Sequence, residues 1–413
     1  MRKLEVRFTR GPGDERRVGD LAEERGRVYF EYDSEWCASG YSLSPFRIPF
    51  EARLFEHRDR EFGPLPGLFA DSLPDGWGLL LMDRHFRSTG LDPAAVGPLD
   101  RLSWLGTRTM GALTYHPPAT GPEADARALD LHELGRQVQE VLAGPSAKVL
   151  PQLLRAGGSP AGARPKVVVG FDPSSGEVVS GADDLPDRLE HWMVKFASRE
   201  DPTDAGAIEY AYSLMAAAAG IDMPSTRLFE TDAGDRFFGV RRFDREGNRR
   251  LHVHTFGNLI HSDFRVPSAD YADLLRATSV LTRRHPDVLR AWRRAAFNVL
   301  AHSRDDHVKN FAFILDDATG GWTLSPAYDL TFSLGPGGEH TMAVAGEAVH
   351  PGAAQLLALA SAAGLSARDA RRILDEVRRA VARWAEWARR AGVSRGSMRR
   401  IGAALSPGTR SAR

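Results

Sequence analysis

Two polar segments that flank a predicted β-hairpin constrain this chain more than any other feature. The first segment, residues 305–310, reads Asp-Asp-His-Val-Lys-Asn and follows an apolar helical pattern. A strand predicted at 311–315, a turn rich in Asp and Gly, and a second strand at 322–324 then lead to Asp329. This order predicts a loop, a hairpin and a loop, and the hairpin would bring the two polar segments to one cleft.

The residue types in these segments are the ones that phosphoryl transfer requires. Hard oxygen ligands must hold Mg²⁺ against the phosphates, and a carboxylate must orient the attacking hydroxyl. Asp305 stands five residues before Asn310 and fits the Asp-x-x-x-x-Asn spacing, whereas Asp306 stands four before it and does not. We therefore predict Asp305 as the base, Asn310 as catalytic and metal-binding, and Asp329 as the second metal ligand.

Lysine is scarce in this chain, which draws attention to the few lysines present. Only Lys3, Lys148, Lys166, Lys195 and Lys309 occur among the 54 basic residues. A lysine that is retained in an arginine-rich chain is typical of a phosphate contact, because a planar guanidinium does not replace its compact ammonium. Lys195, on a strand predicted at 191–196, is the candidate for the nucleotide's α- and β-phosphates.

Two further features accompany this lysine. Glu209, on a helix that is predicted to be capped by Asp204 and to run to Gly220, is its candidate partner, although a solvent-facing Glu is almost as good an interpretation. The glycine-rich stretch at 157–162 can bring backbone N–H groups to phosphates, but no Gly-Lys-Ser/Thr follows it.

The pattern of elements predicts three structured parts. Short alternating strands indicate a β-rich N-terminal part at 1–115, in which residues 73–78 lead into a helix that we interpret as structural. A linker composition at 117–125 separates it from a smaller β-rich lobe at 130–245. Residues 246–405 are mainly helical, with single helices predicted at 286–301 and 367–390, and 406–413 are predicted to be a disordered tail.

Bulk composition excludes several other classes of protein. The formal net charge is zero, so the chain has no overall positive charge that would attract nucleic acid. The single cysteine, Cys37, rules out a disulfide framework within the chain. Because no long apolar stretch is present either, we expect a cytoplasmic protein without a membrane partner.

These residues resemble the HipA-like toxin kinases nearly from end to end. The resemblance rests on the segments 26–33, 72–78, 159–166, 242–245, 305–310 and 327–329, together with the strand that carries Lys195. It implies an α/β (α+β) two-lobed protein-kinase-like fold with a β-rich N-terminal part and a mainly helical C-terminal lobe. It also implies ATP and Mg²⁺ as cofactors, with ATP contacts from Ser159, Ala161, Gly162, Lys195, Val240, Arg242, Phe243, His307 and Lys309.

The resemblance carries further expectations about regulation and partners. Ser159 stands where the family has an autophosphorylated serine, and a phosphate there would repel ATP and inactivate the enzyme. Family members typically pair with a HipB-like helix-turn-helix antitoxin and modify protein substrates such as aminoacyl-tRNA synthetases. DNA contact is then expected only through the antitoxin.

Two other functions remain open from the residues alone. A small-molecule kinase shares the Asp-x-x-x-x-Asn spacing and the later Asp, but the N-terminal segments and Ser159 argue against it. A non-catalytic, pseudokinase-like nucleotide-binding regulator would not need the full set of Asp305, Asn310, Asp329 and Lys195.

Overall fold

A five-stranded antiparallel sheet forms the N-terminal part of the chain. The computed structural model describes residues 1–119, 128–144, 151–158, 162–182 and 184–406. The strands are β1 (Arg2–Gly11), β2 (Asp14–Glu24), β3 (Arg27–Tyr32), β4 (Leu54–Glu56) and β5 (Leu113–His116), in the order β4-β3-β2-β1-β5. Its helices are α1 (Ser34–Cys37), α2 (Gly67–Ala70), α3 (Gly76–Ser88) and α4 (Pro98–Leu105), with a 3₁₀ turn at Pro93–Ala95.

A second antiparallel sheet builds a smaller lobe. After α5 (Leu131–Ala143) and α6 (Pro151–Gly157) come β6 (Lys166–Phe171), β7 (Val178–Ser180) and β8 (Glu190–Lys195), and then α7 (Ala205–Ala218), β9 (Thr226–Glu230) and β10 (Arg236–Arg241). The strand order is β7-β6-β8-β10-β9. The central position of β8 buries Lys195 within the lobe, because β6 and β10 cover both of its edges.

The larger lobe is mainly helical. A two-stranded ribbon, β11 (Arg245–Glu246) and β12 (Arg249–Arg250), precedes β13 (His252–Thr255) and the helices α8 (Phe256–Ile260), α9 (Tyr271–Thr282) and α10 (His285–Leu300). The predicted hairpin is confirmed as β14 (Ala312–Asp316) and β15 (Gly321–Leu324), and β13 adds to its edge. The chain continues through α11 (Ala353–Ala362), α12 (Ala367–Ala382), α13 (Trp384–Arg390) and α14 (Arg395–Leu405).

The N-terminal part shares its hydrophobic core with both lobes. Val6 and Phe30 of its sheet belong to the same cluster of buried side chains as Trp292 and Phe297 of α10. Helix α3, in contrast, packs against α6, and its buried side chains belong to the same cluster as those of β6 and β8 in the smaller lobe. The N-terminal part therefore contacts both lobes through apolar surface.

Two local predictions are wrong. The helix predicted at 367–390 breaks at Arg383, whose backbone has φ −91° and ψ 17°. The indole of Trp387 donates to the Ala380 carbonyl at 2.9 Å. In a continuous helix this carbonyl would accept a bond from the backbone N–H four residues later. Asp204 does not cap α7 with its side chain, because its carboxylate accepts bonds from Ser394 N–H and Ser397 Oγ at the start of α14.

Three predicted segments fall partly outside the described residues. These are the linker at 117–125, the glycine-rich stretch at 157–162 and the tail at 406–413. Among the residues that are described, no helix combines the length and apolar character needed to cross a bilayer.

Candidate active site

The loop between α10 and β14 carries the first set of predicted catalytic residues. Helix α10 ends at Leu300, and His302 then adopts a left-handed backbone conformation with φ 49°. A 3₁₀ turn at Val308–Asn310 closes the loop. Asp305 is exposed, whereas the Asn310 side-chain amide donates from Nδ2 to the Asp305 carbonyl at 2.7 Å. This bond fixes the orientation of the amide and leaves the Asp305 carboxylate accessible to an incoming group.

Asp329 reaches the same cleft from the far end of the hairpin. It follows β15 by five residues and has φ 57°, a left-handed conformation that Asp tolerates better than most residues. Asp305, Asn310 and Asp329 all line one small cleft. The hairpin therefore brings together the three residues on which the sequence argument depends.

Lys195 connects this cleft to the smaller lobe. Its Nζ donates to Glu209 Oε1 of α7 at 2.5 Å and also to Asp329 Oδ1. The Lys195 and Glu209 side chains are 8% and 7% exposed, so both are buried. The ammonium thus joins α7 to the segment that follows the hairpin.

Opposed effects set the charge state of this cluster. Burial disfavours the charged carboxylate of Asp329, but Lys195, Lys166 and Arg164 overcome it and hold its pKa well below the usual range. Burial likewise disfavours the Lys195 ammonium, while Asp329 and Glu209 raise its pKa above the ordinary value. Both groups are therefore charged throughout the neutral pH range.

Lys166 is a site residue that the sequence argument did not assign. It lies directly opposite Lys195 in the pairing of β6 with β8 and is buried. Burial lowers its pKa, Lys195 lowers it further, and Asp329 opposes both. The scarcity of lysine had already drawn attention to Lys166. That signal could have made Lys166 a candidate site residue in addition to Lys195.

The segment 240–243, which holds three of the ATP contacts implied by the resemblance, connects the end of β10 to the larger lobe. Val240 is half-buried in β10, and the Phe243 ring stacks on Tyr328 with ring centroids 5.4 Å apart. The Tyr328 hydroxyl donates to the Lys309 carbonyl at 2.7 Å, which ties this connection to the loop of Asp305. The Arg242 guanidinium is buried in a two-bond pair with Asp244.

Of the remaining predicted nucleotide contacts, the structure describes some and not others. Ser159 and Ala161 lie outside the described residues. The His307 ring packs near Phe264, with centroids 5.3 Å apart. Gly162 and Lys309 both bind Asp75, a residue of the N-terminal part that the sequence argument treated as structural.

Asp306 is buried, whereas its neighbour Asp305 is exposed. Its carboxylate is buried and accepts bonds from the Tyr271 hydroxyl at 2.7 Å and from the Thr341 N–H at 2.9 Å. His340 Nδ1 completes the set at 2.7 Å. Asp306 therefore anchors the loop that carries Asp305.

The donor set at the cleft suits a hard divalent cation. The described residues contain no group of three or more His, Cys, Asp or Glu side chains that could hold a metal by themselves. Mg²⁺ in phosphoryl-transfer enzymes needs only one or two protein ligands, because phosphates and water complete its shell. The Asp329 carboxylate and the Asn310 amide fit that requirement.

A larger cavity of about 780 Å³ is also lined by Lys195. Phe237, Phe332 and the start of α7 line it, together with Arg164 and Glu209. None of Asp305, Asn310, Asp329 or 240–243 is among its lining residues in the described part of the chain. The cleft of Asp305, Asn310 and Asp329 is therefore the smaller and the more enclosed of the two.

Comparison with solved structures places this arrangement in a known fold. The chain is similar to a protein from Shewanella oneidensis MR-1 solved as "Toxin Antitoxin System HipA, HipB and its operator DNA complex", with 18% identity and a TM-score of 0.69. That match covers 97% of this chain and 94% of the other. The two-lobed, kinase-like α/β fold expected from the sequence is confirmed.

A second solved structure, the Helicobacter pylori proinflammatory kinase CtkA, matches more weakly. Its identity is 13% and its TM-score is 0.34, over 50% of this chain and 89% of that one. Among curated protein sequences, none is detectably similar to this chain.

Family profiles match most of the sequence. The profile of the HipA N-terminal domain matches residues 13–116. The profile of the HipA-like C-terminal domain matches residues 158–385, which is more than half of the chain. The chain therefore belongs to the HipA-like family.

Proposed function

We propose that this protein is an ATP- and Mg²⁺-dependent kinase of the HipA toxin type that phosphorylates Ser or Thr in a protein target. The observation that carries the proposal is the contact of Lys195 with both Glu209 and Asp329, beside a cleft that Asp329 shares with Asp305 and Asn310. A buried ammonium opposite acidic and amide oxygens is the arrangement that binds a metal–nucleotide complex.

Asp305 acts as the base in this proposal. Its exposed carboxylate can accept the proton of a hydroxyl presented by a folded protein, and the neighbouring bond between Asn310 and the Asp305 carbonyl keeps the loop in place. The exposure of Asp305 also favours a macromolecular acceptor, because a hydroxyl on the surface of a folded protein can reach its carboxylate.

Mg²⁺ would be held by Asn310 and Asp329. When bound, it neutralises phosphate charge and orients the phosphoryl group that is transferred. Lys195 supplies a fixed positive charge for the nucleotide phosphates, and Glu209 keeps that ammonium oriented.

The rest of the nucleotide would lie between the lobes. We assign its adenine to the segment 240–243 and its phosphates to the region of Ala161, Gly162, His307 and Lys309. Phe243 supports this placement, because its stacking on Tyr328 fixes the connection next to Asp329.

Ser159 is proposed as a site of self-phosphorylation that inactivates the enzyme. Its position in the glycine-rich stretch would place a dianion among groups that bind ATP phosphates. Intact-mass measurement after incubation with Mg²⁺ and ATP should show one added phosphoryl group in the wild type and none in Ser159→Ala. Equal self-phosphorylation of both proteins would contradict this assignment.

A HipB-like helix-turn-helix antitoxin is the proposed partner, and DNA would be contacted through it. Support comes from the fold shared with the Shewanella oneidensis protein, whose structure includes HipB and operator DNA. An aminoacyl-tRNA synthetase is the proposed class of substrate on the basis of family resemblance.

The function can be tested with labelled ATP, Mg²⁺ and cell extract. The wild type should label a discrete protein band, Asp305→Asn should not, and the surface control Asp375→Asn should behave as wild type. Label that enters only a small molecule would favour a small-molecule kinase. Nucleotide binding without any transfer by the wild type would favour a non-catalytic regulator.

A further inference from the structure

Asp75 occupies a helix-capping position but does not cap its helix. It immediately precedes α3 and has an extended backbone with φ −119° and ψ 178°. An Asp at this position normally accepts a bond from an N–H group of its own first turn. Here the carboxylate makes no such bond and points to two other segments instead.

Those two segments belong to opposite lobes. Asp75 Oδ2 accepts a bond from Lys309 Nζ at 2.6 Å, in the loop of Asp305 and Asn310. Asp75 Oδ1 accepts a bond from the Gly162 N–H, at the end of the glycine-rich stretch. The side chains of Asp75 and Lys309 are each only 12% exposed. One carboxylate thus joins the two segments that would enclose the nucleotide phosphates.

The backbone around Asp75 strengthens this connection. Trp77 N–H donates to the Gly162 carbonyl at 3.1 Å. Gly76 lies so close to the same stretch that a Cβ there would come within 2.5 Å of Ala163 Cα. The start of α3 is therefore docked on the glycine-rich stretch by backbone contacts as well as by the carboxylate.

We propose that Asp75 is a positioning residue that couples Gly162, at the end of the glycine-rich stretch, to the loop that carries Lys309, so that the N-terminal part fixes Gly162 and Lys309 relative to each other. This proposal rests on the proposed kinase function. Asp75 acts through Gly162 and Lys309, and it does not itself touch the reacting groups. Burial favours its neutral form, but Lys309, the Gly162 N–H and Lys166 together lower its pKa, which keeps the carboxylate charged for both contacts.

Amide hydrogen exchange tests the coupling independently of catalysis. Loss of a bond to a charged acceptor should speed exchange of the Gly162 amide by about tenfold or more in Asp75→Ala. Asp75→Asn keeps an acceptor oxygen of similar shape and should give a smaller increase. The control Asp83→Asn removes a carboxylate from the same helix, where it binds Arg101 at 2.6 Å, and should leave the Gly162 amide unchanged.

Steady-state phosphotransfer tests the consequence. We expect Asp75→Ala to raise the KM for ATP and lower kcat by about tenfold each, Asp75→Asn to retain part of both, and Asp83→Asn to match the wild type. In Lys309→Met, addition of Asp75→Asn should have little further effect, because the two residues act as one unit. Equal thermal unfolding of the variants would show that the loss is not general instability.

The two proposals fail in different ways. If the wild type transfers no phosphate, the kinase function fails, and Gly162 exchange still reports on the coupling. If Gly162 exchange is the same in wild type, Asp75→Ala and Asp75→Asn, the coupling is overturned. Wild-type KM and kcat in Asp75→Ala and Asp75→Asn would also overturn it.

Discussion

His340 Nδ1 lies 2.7 Å from Asp306 Oδ2, in a contact whose two side chains are almost completely buried. This bond ties the loop of Asp305 to the segment around residue 340, far along the chain. Adjacent aspartates thus have different tasks, since Asp305 faces solvent and Asp306 faces the interior. The difference can be measured.

Asp306→Ala should destabilise the protein by about 3 kcal/mol, because three buried hydrogen-bond donors lose their acceptor. Asp305→Ala should change the free energy of unfolding by no more than about 0.5 kcal/mol while abolishing phosphotransfer. Urea unfolding of both variants, with a transfer assay on each, checks the contrast. Similar destabilisation by both substitutions would contradict the assignment of separate roles.

Lys195→Met should lower kcat by about 100-fold or more, because the fixed charge for the nucleotide phosphates is lost. Lys195→Arg should not restore activity, since a planar guanidinium does not fit the buried space between Glu209 and Asp329. Lys3→Met is the matched control, because Lys3 is 54% exposed and pairs with Asp20 at the surface. A Lys195→Met enzyme with near wild-type kcat would exclude this role for the lysine.

The lowered pKa of Asp244 predicts that the free energy of unfolding depends on pH. Burial raises its pKa, but Arg242 and Arg245 outweigh burial and leave the pKa far below the ordinary value. A depressed pKa stabilises the fold above the unfolded-state pKa, about 3.9, and this stabilisation is lost as the pH falls toward the folded-state pKa.

Asp244→Asn should therefore cost about 3 kcal/mol at pH 7, and the difference from wild type should shrink below about pH 4. Unfolding free energies measured across this range check the prediction. A difference that stays constant down to about pH 2 would show that Asp244 does not titrate as proposed.

Two glycines, one at the first residue of α3 and one just after its end, provide a matched pair of substitutions. Gly76 and Gly90 both have positive φ, of 45° and 83°, but only at Gly76 would a Cβ meet the glycine-rich stretch. Each change to Ala should cost about 1 kcal/mol or more in backbone strain. Only Gly76→Ala should also weaken ATP binding, as titration calorimetry can show. Equal ATP affinity in the two variants would mean that docking of α3 does not affect the nucleotide site.

Local patterns predicted the elements that carry the site. The hairpin of β14 and β15, the strand that carries Lys195 and the helix that carries Glu209 all follow from alternation, periodicity and turn residues. The sequence left the role of Glu209 open, and the bond between Lys195 and Glu209 decides in favour of a partner.

Long-range contacts were beyond what local patterns can reveal. Asp204 was expected to cap its own helix, and Asp75 also precedes a helix, yet the side chain of each binds a segment far away in sequence. At the break at Arg383, the indole of Trp387 donates to the backbone carbonyl of Ala380. Hydrophobic periodicity in the sequence gives no sign of such a bond. Tertiary contacts decide such cases because they outweigh the small local preference for a cap or a straight helix.

Magnesium-dependent nucleotide binding tests the central claim most directly, because it asks whether Lys195, Asn310 and Asp329 serve one pocket. Titration calorimetry with a non-hydrolysable ATP analogue should show that Mg²⁺ strengthens binding to wild type but not to Asp329→Asn. Lys195→Met should bind weakly with or without Mg²⁺. An equal effect of Mg²⁺ on wild type and Asp329→Asn would contradict the account.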